Sequence, residues 1–135
     1  MSFHTYPALV TGLALLVYLW TMIACMRARG RTGVKAPSVT GNAEFERYFR
    51  IQQNTIEQLV LFLPGLWLFS LELSQFWAGI IGLVFVAGRI LYGVSYARDP
   101  AARGPRFTIG LIATLLLLLG GLAGVLKIML TGVQF

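Results

Sequence analysis

Charge, histidine and cysteine are all scarce in this chain. Only 12% of its 135 residues are charged, where a soluble domain carries about 25%. A single His and a single Cys exclude a His/Cys metal cage, a CxxC redox pair and a disulfide scaffold. The missing charge is missing in blocks, because residues 1–26 and 107–126 contain no Asp, Glu, Lys or Arg. With 57% hydrophobic residues and a mean hydropathy of +0.75, such blocks exclude a disordered chain and an ordinary cytosolic enzyme. They define an integral membrane protein.

A membrane-crossing helix needs about 20 mostly apolar residues. Segments 5–26, 46–72, 75–97 and 107–130 each meet that length, with Arg47, Arg50 and Glu57 interrupting the second, Arg89 the third and Lys127 closing the fourth. The expected fold is therefore all-α: one four-helix membrane domain over residues 1–135, with the second and third spans forming a tight hairpin across 71–76. The first segment reads as a span rather than a signal peptide, since its cations (Arg27, Arg29, Arg31) follow the apolar run instead of preceding it. The segment from Gly30 to Asn42 reads as a flexible loop.

Nine of the eleven basic residues fall in or beside the two loops after the first and third spans. Lys and Arg mark the cytoplasmic side, so both loops are expected there and both termini outside. This topogenic charge accounts for the net +6 and leaves no reason to invoke nucleic acid. Contact with anionic lipid fits the same charge.

Polar groups inside a bilayer are costly and mark function by default. On the second span, Arg50, Asn54, Glu57 and Gln58 recur at i, i+4, i+7 and i+8, one helical face, with Arg47 a turn earlier. On the third, Arg89, Tyr92 and Tyr96 share a face. Both stripes enter from the basic-loop side and reach similar depths, so they can meet in a pocket whose excess of cations suits an anionic ligand. Structural glue between Glu57 and Arg89 is the competing account of the same residues.

Glu44-Phe45-Glu46-Arg47, then Arg50, Gln52, Gln53, Asn54 and Glu57, followed by Arg89, Tyr92, Tyr96, Ala97, Arg98 and Arg103, resembles the motif of the MAPEG family, membrane-associated proteins in eicosanoid and glutathione metabolism. The likeness covers essentially the whole chain. It implies a homotrimer with glutathione, and no metal, bound between neighbouring subunits on the cytoplasmic side. By the family's synthase-like pattern, Arg29, Arg50, Gln52, Asn54, Glu57, Tyr92 and Tyr96 hold glutathione, and Arg103 activates its thiol for attack on a lipophilic electrophile or reduction of a lipid hydroperoxide. The pattern departs at Gln58, where the synthase has Tyr, and at Gly30, where it has a second arginine. Glu57 is left with two candidate partners, the ligand ammonium and Arg89. A non-catalytic, lipid-binding scaffold of the same family is the alternative; a small multidrug exporter is disfavoured because the first span is uncharged.

Gly120 and Gly124, with Gly121 and Ala123 beside them, mark a close-packing helix face. Pro64 is expected to kink the second span. Trp20, Trp67 and Trp77 read as lipid-facing or interfacial anchors.

Overall fold

A computed structural model describes residues 4–99, 101 and 103–132, with backbone alone for 103–106. Four helices make up the chain: α1 (Thr5–Thr32), α2 (Ala43–Glu72), α3 (Gln75–Arg98) and α4 (Arg103–Thr131). Each is long and apolar enough to cross a membrane, and together they describe a multi-pass, all-α membrane protein. α2 and α3 form the middle of the bundle and each packs on both other helices, while α1 and α4 stand at opposite corners.

The helix ends follow local chemistry. Asn42 Oδ1 accepts the Phe45 amide at 3.1 Å, and Glu44 and Glu46 lie in the first turn of α2, where carboxylates complement the helix dipole. Ser74 Oγ accepts the Trp77 amide at 3.2 Å, so the α2–α3 turn consists of Leu73 and Ser74 alone, the tight hairpin expected. α1 runs past the expected loop start at Gly30. Nothing breaks the helix until Gly33, whose positive φ of 76° gives the left-handed cap that returns its N–H to Arg29 O. At 28 residues α1 is about 42 Å long, more than the about 30 Å of a hydrocarbon core, and its last turns carry Arg27, Arg29 and Arg31. There Arg31 and Glu44 form an exposed ion pair at 2.7 Å that closes the α1–α2 loop.

The apolar core draws on every helix: Val10, Ala14 and Val17, then Leu59, Phe62 and Leu66, Phe85 and Val86, and Ala113 and Leu117. At its centre Phe62 and Phe85 stack with ring centroids 3.7 Å apart. Pro64 sits exposed on the outer face of α2, which continues as one helix through it. Trp67 is half-buried, and its Nε1 donates to Thr11 Oγ1 at 3.0 Å, tying α2 to α1. Trp77, by contrast, is 57% exposed.

The glycines of α4 pack within the subunit, against α2. A Cβ on Gly120 would lie 2.7 Å from the Phe69 ring, one on Gly121 would lie 2.9 Å from the Phe69 backbone nitrogen, and one on Gly124 would lie 2.8 Å from Glu72 Cβ. Backbone cannot give way as a side-chain tip can. Gly121→Ala is therefore expected to destabilise the bundle by about 1–3 kcal/mol in thermal unfolding in detergent. Gly12→Ala, whose Cβ would meet nothing within 4 Å, is expected to cause no loss.

Candidate functional site

The polar stripes of α2 and α3 do meet. Asn54 Nδ2 donates to Tyr92 Oη at 2.7 Å, and Arg89 Nη2 donates to Thr55 Oγ1 at 2.6 Å. Two turns toward the basic loops, Arg47 Nε donates to Ala97 O at 3.2 Å. These bonds set the antiparallel register of the two helices, and the Phe62–Phe85 stack continues it toward the core. Tyr92 organises an aromatic group of its own: it lies 5.6 Å from Tyr96 with rings nearly parallel, 5.9 Å from Phe107 of α4, and 4.3 Å beneath the Arg89 guanidinium.

Arg89 is the most deeply committed ionisable group. It is 2% exposed and its charge is met by the Thr55 hydroxyl and the Tyr92 π-face. Gly110 of α4 makes room for it: a Cβ there would stand 2.9 Å from Gln58 Oε1 and 3.5 Å from Arg89 Cδ. Gln58, the departure from the synthase pattern, thus turns into the bundle beside Arg89. Its amide and the Arg89 Nε and Nη1 have no hydrogen-bond partner among the described residues.

Glu57 does not pair with Arg89, which corrects the structural-glue account of these two residues. The register brings them to one level, but Arg89 points inward while Glu57 is exposed on the outer flank of α2. A rotation of about 100° per residue separates Glu57 from its buried neighbour Gln58. Arg50 lies exposed on the flank that carries Glu57, and Asn54 is half-buried at its edge. Neither Arg50 nor Glu57 has a partner among the described residues.

The remaining expected residues divide. Tyr96 is half-buried on Tyr92. Gln52 stands two residues before Asn54, about 160° away around α2, on the opposite flank. Arg29 lies over the Phe45 ring at 4.5 Å, with Nη1 donating to Ser38 O at 2.7 Å and to Val34 O at 3.4 Å. One chain therefore does not bring Gln52 and Arg29 to the Asn54–Tyr92 group. Arg103 begins α4, and its side chain lies outside the described residues. Thr55 and Gly110 were absent from the expected set. A lone hydroxyl four residues after Ile51 on the buried face of α2 was the only available signal for the first, and the sequence carried none for the second.

This geometry, a four-helix membrane bundle with an intramembrane arginine and an outward polar flank, defines the class. The MAPEG family model matches residues 7–123, and the chain belongs to that family. It is 44% identical over 121 residues to an uncharacterized protein of Synechocystis, covering 90% of this chain and 88% of that one. It is 43% identical over 98 residues to human microsomal glutathione S-transferase 2, covering 71% and 66%. It is 36% identical over 96 residues to guinea-pig (Cavia porcellus) leukotriene C4 synthase, covering 71% and 64%. The matched region thus spans just under two thirds of the transferase and the synthase.

Thr55→Val removes the one hydroxyl that accepts from Arg89. It is expected to destabilise the bundle by about 1–3 kcal/mol, read by thermal unfolding in detergent, with helix content unchanged at low temperature.

Proposed function

We propose that the chain is a glutathione-dependent membrane transferase in which the outer flank of α2 receives glutathione. The observation that carries this reading is the pairing pattern: Arg89 turns into the bundle, donating to Thr55 above the Tyr92 ring, while Arg50 and Glu57 point outward without partners among the described residues. Glutathione brings two carboxylates, an ammonium and a thiol. Arg50 supplies a bidentate fork for a carboxylate, Glu57 takes the ammonium, and Asn54 and Tyr96 bond the peptide groups, while Tyr92, expected as a ligand contact but 0% exposed, holds Asn54 from behind through its hydroxyl. Gln52 and Arg29 can join the same ligand only from another copy, because they stand on a different flank of their own subunit. The homotrimer implied by the family resemblance, with the ligand between copies, is compatible with that separation and is part of this proposal. The excess of Lys and Arg in the two loops supports a cytoplasmic position for this face, with the termini outside.

Arg103, at the start of α4, is assigned to the thiolate. A thiol has a pKa of about 8.5, and lowering it by about two units requires about 2.7 kcal/mol. One guanidinium at about 4 Å supplies roughly 4 kcal/mol at an effective dielectric of about 20. Arginine keeps its proton throughout, so it stabilises the anion without competing as an acid. The thiolate sulfur then forms a bond to a lipophilic electrophile arriving from the bilayer, and the displaced electron pair takes up a proton. The same thiolate can instead attack the terminal oxygen of a lipid hydroperoxide, breaking the O–O bond so that the lipid alkoxide leaves and takes a proton. A second glutathione then displaces water from the sulfenic acid to give the disulfide.

Glutathione titrated into the purified protein at neutral pH should give an ultraviolet thiolate band. Arg103→Ala is expected to lose that band and at least tenfold of the turnover, at about 1.4 kcal/mol per tenfold, while still binding glutathione. Binding without a band in the wild type would favour a scaffold, and an unchanged band in Arg103→Ala would remove that residue from the mechanism.

A further inference from the structure

On the flank of α3 that faces α1, away from Tyr92 and Phe107, a groove runs up the subunit. At the basic-loop end it opens as a crevice of about 300 Å³ lined by Arg27, Arg31, Arg98 and Tyr48, with Trp20, Ile23 and Val94 below them. Deeper between the same two helices a second crevice of about 300 Å³ is lined by Leu13, Leu16, Val17, Trp20, Val86 and Ile90. Trp20 belongs to both, and its ring closes the back of the groove against Gly93, where a Cβ would stand 2.8 Å away. The mouth is thus cationic and the interior wholly apolar.

The charges at the mouth are unevenly matched. Arg31 is paired with Glu44 at 2.7 Å and lies 5.6 Å from the Tyr48 ring. Arg27 and Arg98 are exposed and make no ion pair among the described residues. Asp99, next to Arg98, has its carboxylate turned to the Ala101 amide at 3.0 Å. Two guanidiniums therefore remain over an apolar channel. From Arg27 the rise along α1 is about 10 Å to Trp20 and about 21 Å to Leu13, against about 15 Å for one leaflet of the hydrocarbon core.

We infer that this groove holds an anionic phospholipid, its phosphate between Arg27 and Arg98 and one acyl chain along Trp20, Val17 and Leu13. Basic clefts between membrane helices suit anionic headgroups, and the position of the groove separates it from the Asn54–Tyr92 stripe. The occupant is a lipid rather than free phosphate because more than half of the lining offers nothing but carbon to a ligand.

Trp67→Phe with Trp77→Phe leaves Trp20 as the reporter among the three tryptophans. Reconstituted into phosphatidylcholine vesicles carrying a minor fraction of brominated phosphatidylglycerol, this variant should show stronger Trp20 quenching than with the same fraction of brominated phosphatidylcholine. Arg27→Gln should lower that preference about fivefold, Arg27→Lys should largely restore it, and inorganic phosphate should not reverse the quenching. In parallel, native mass spectrometry of the wild-type protein should show phosphatidylglycerol retained in preference to phosphatidylcholine. Equal quenching by the two lipids, a preference untouched by Arg27→Gln, or displacement by inorganic phosphate would overturn the assignment. So would absence of quenching by either lipid, the result expected if another copy of the chain covers the groove.

Discussion

A guanidinium inside a bilayer has no water to fall back on. The insertion cost of an arginine at mid-span is about 2.5–3.5 kcal/mol, and the protein around Arg89 is arranged to offset it. Thr55 accepts one N–H, the Tyr92 ring takes the charge on its face, and Gly110 leaves room on the third side. Tyr92 in turn accepts from Asn54, so the solution to one buried charge fixes the register of α2 against α3. It also decides which polar groups stay inside and which stand on the outer flank. Arg50 and Glu57 stand on that outer flank, both exposed.

Below that level the bundle is held by ordinary packing, with the Phe62–Phe85 stack and the small residues of α4 bringing helices to close range. The glycine row, which as a sequence pattern could have served contacts between copies, is used up inside the subunit against Phe69 and Glu72. Any contact between copies would have to draw on other surfaces. The angular separation of Gln52 from Asn54 makes the two flanks of α2 the surfaces that a shared ligand would bridge.

The four spans were legible in the sequence to within a few residues, because uncharged runs of that length have one physical explanation. The two polar stripes were legible as well, since a helix repeats every 3.6 residues whatever surrounds it. Periodicity names a face but not the direction it turns. It therefore could not tell that Gln58 lies inward and Glu57 outward, nor choose between Arg89 and a ligand for the carboxylate. Thr55 and Gly110 left no signature, because one hydroxyl and one missing Cβ are invisible until the neighbour they serve is in place. The extension of α1 to Thr32 was hidden by Gly30, a weak helix former that did not stop the helix.

The central claim is that Glu57 is kept free for the ammonium of a bound ligand. Calorimetric titration tests it directly, with glutathione and an analogue lacking the α-amino group each titrated into the wild type and into Glu57→Gln. If the account holds, removing the ammonium weakens binding to the wild type by about tenfold or more and scarcely alters binding to Glu57→Gln, the signature of two coupled groups. Equal losses in both proteins would show that the carboxylate and the ammonium do not meet, and would contradict the account.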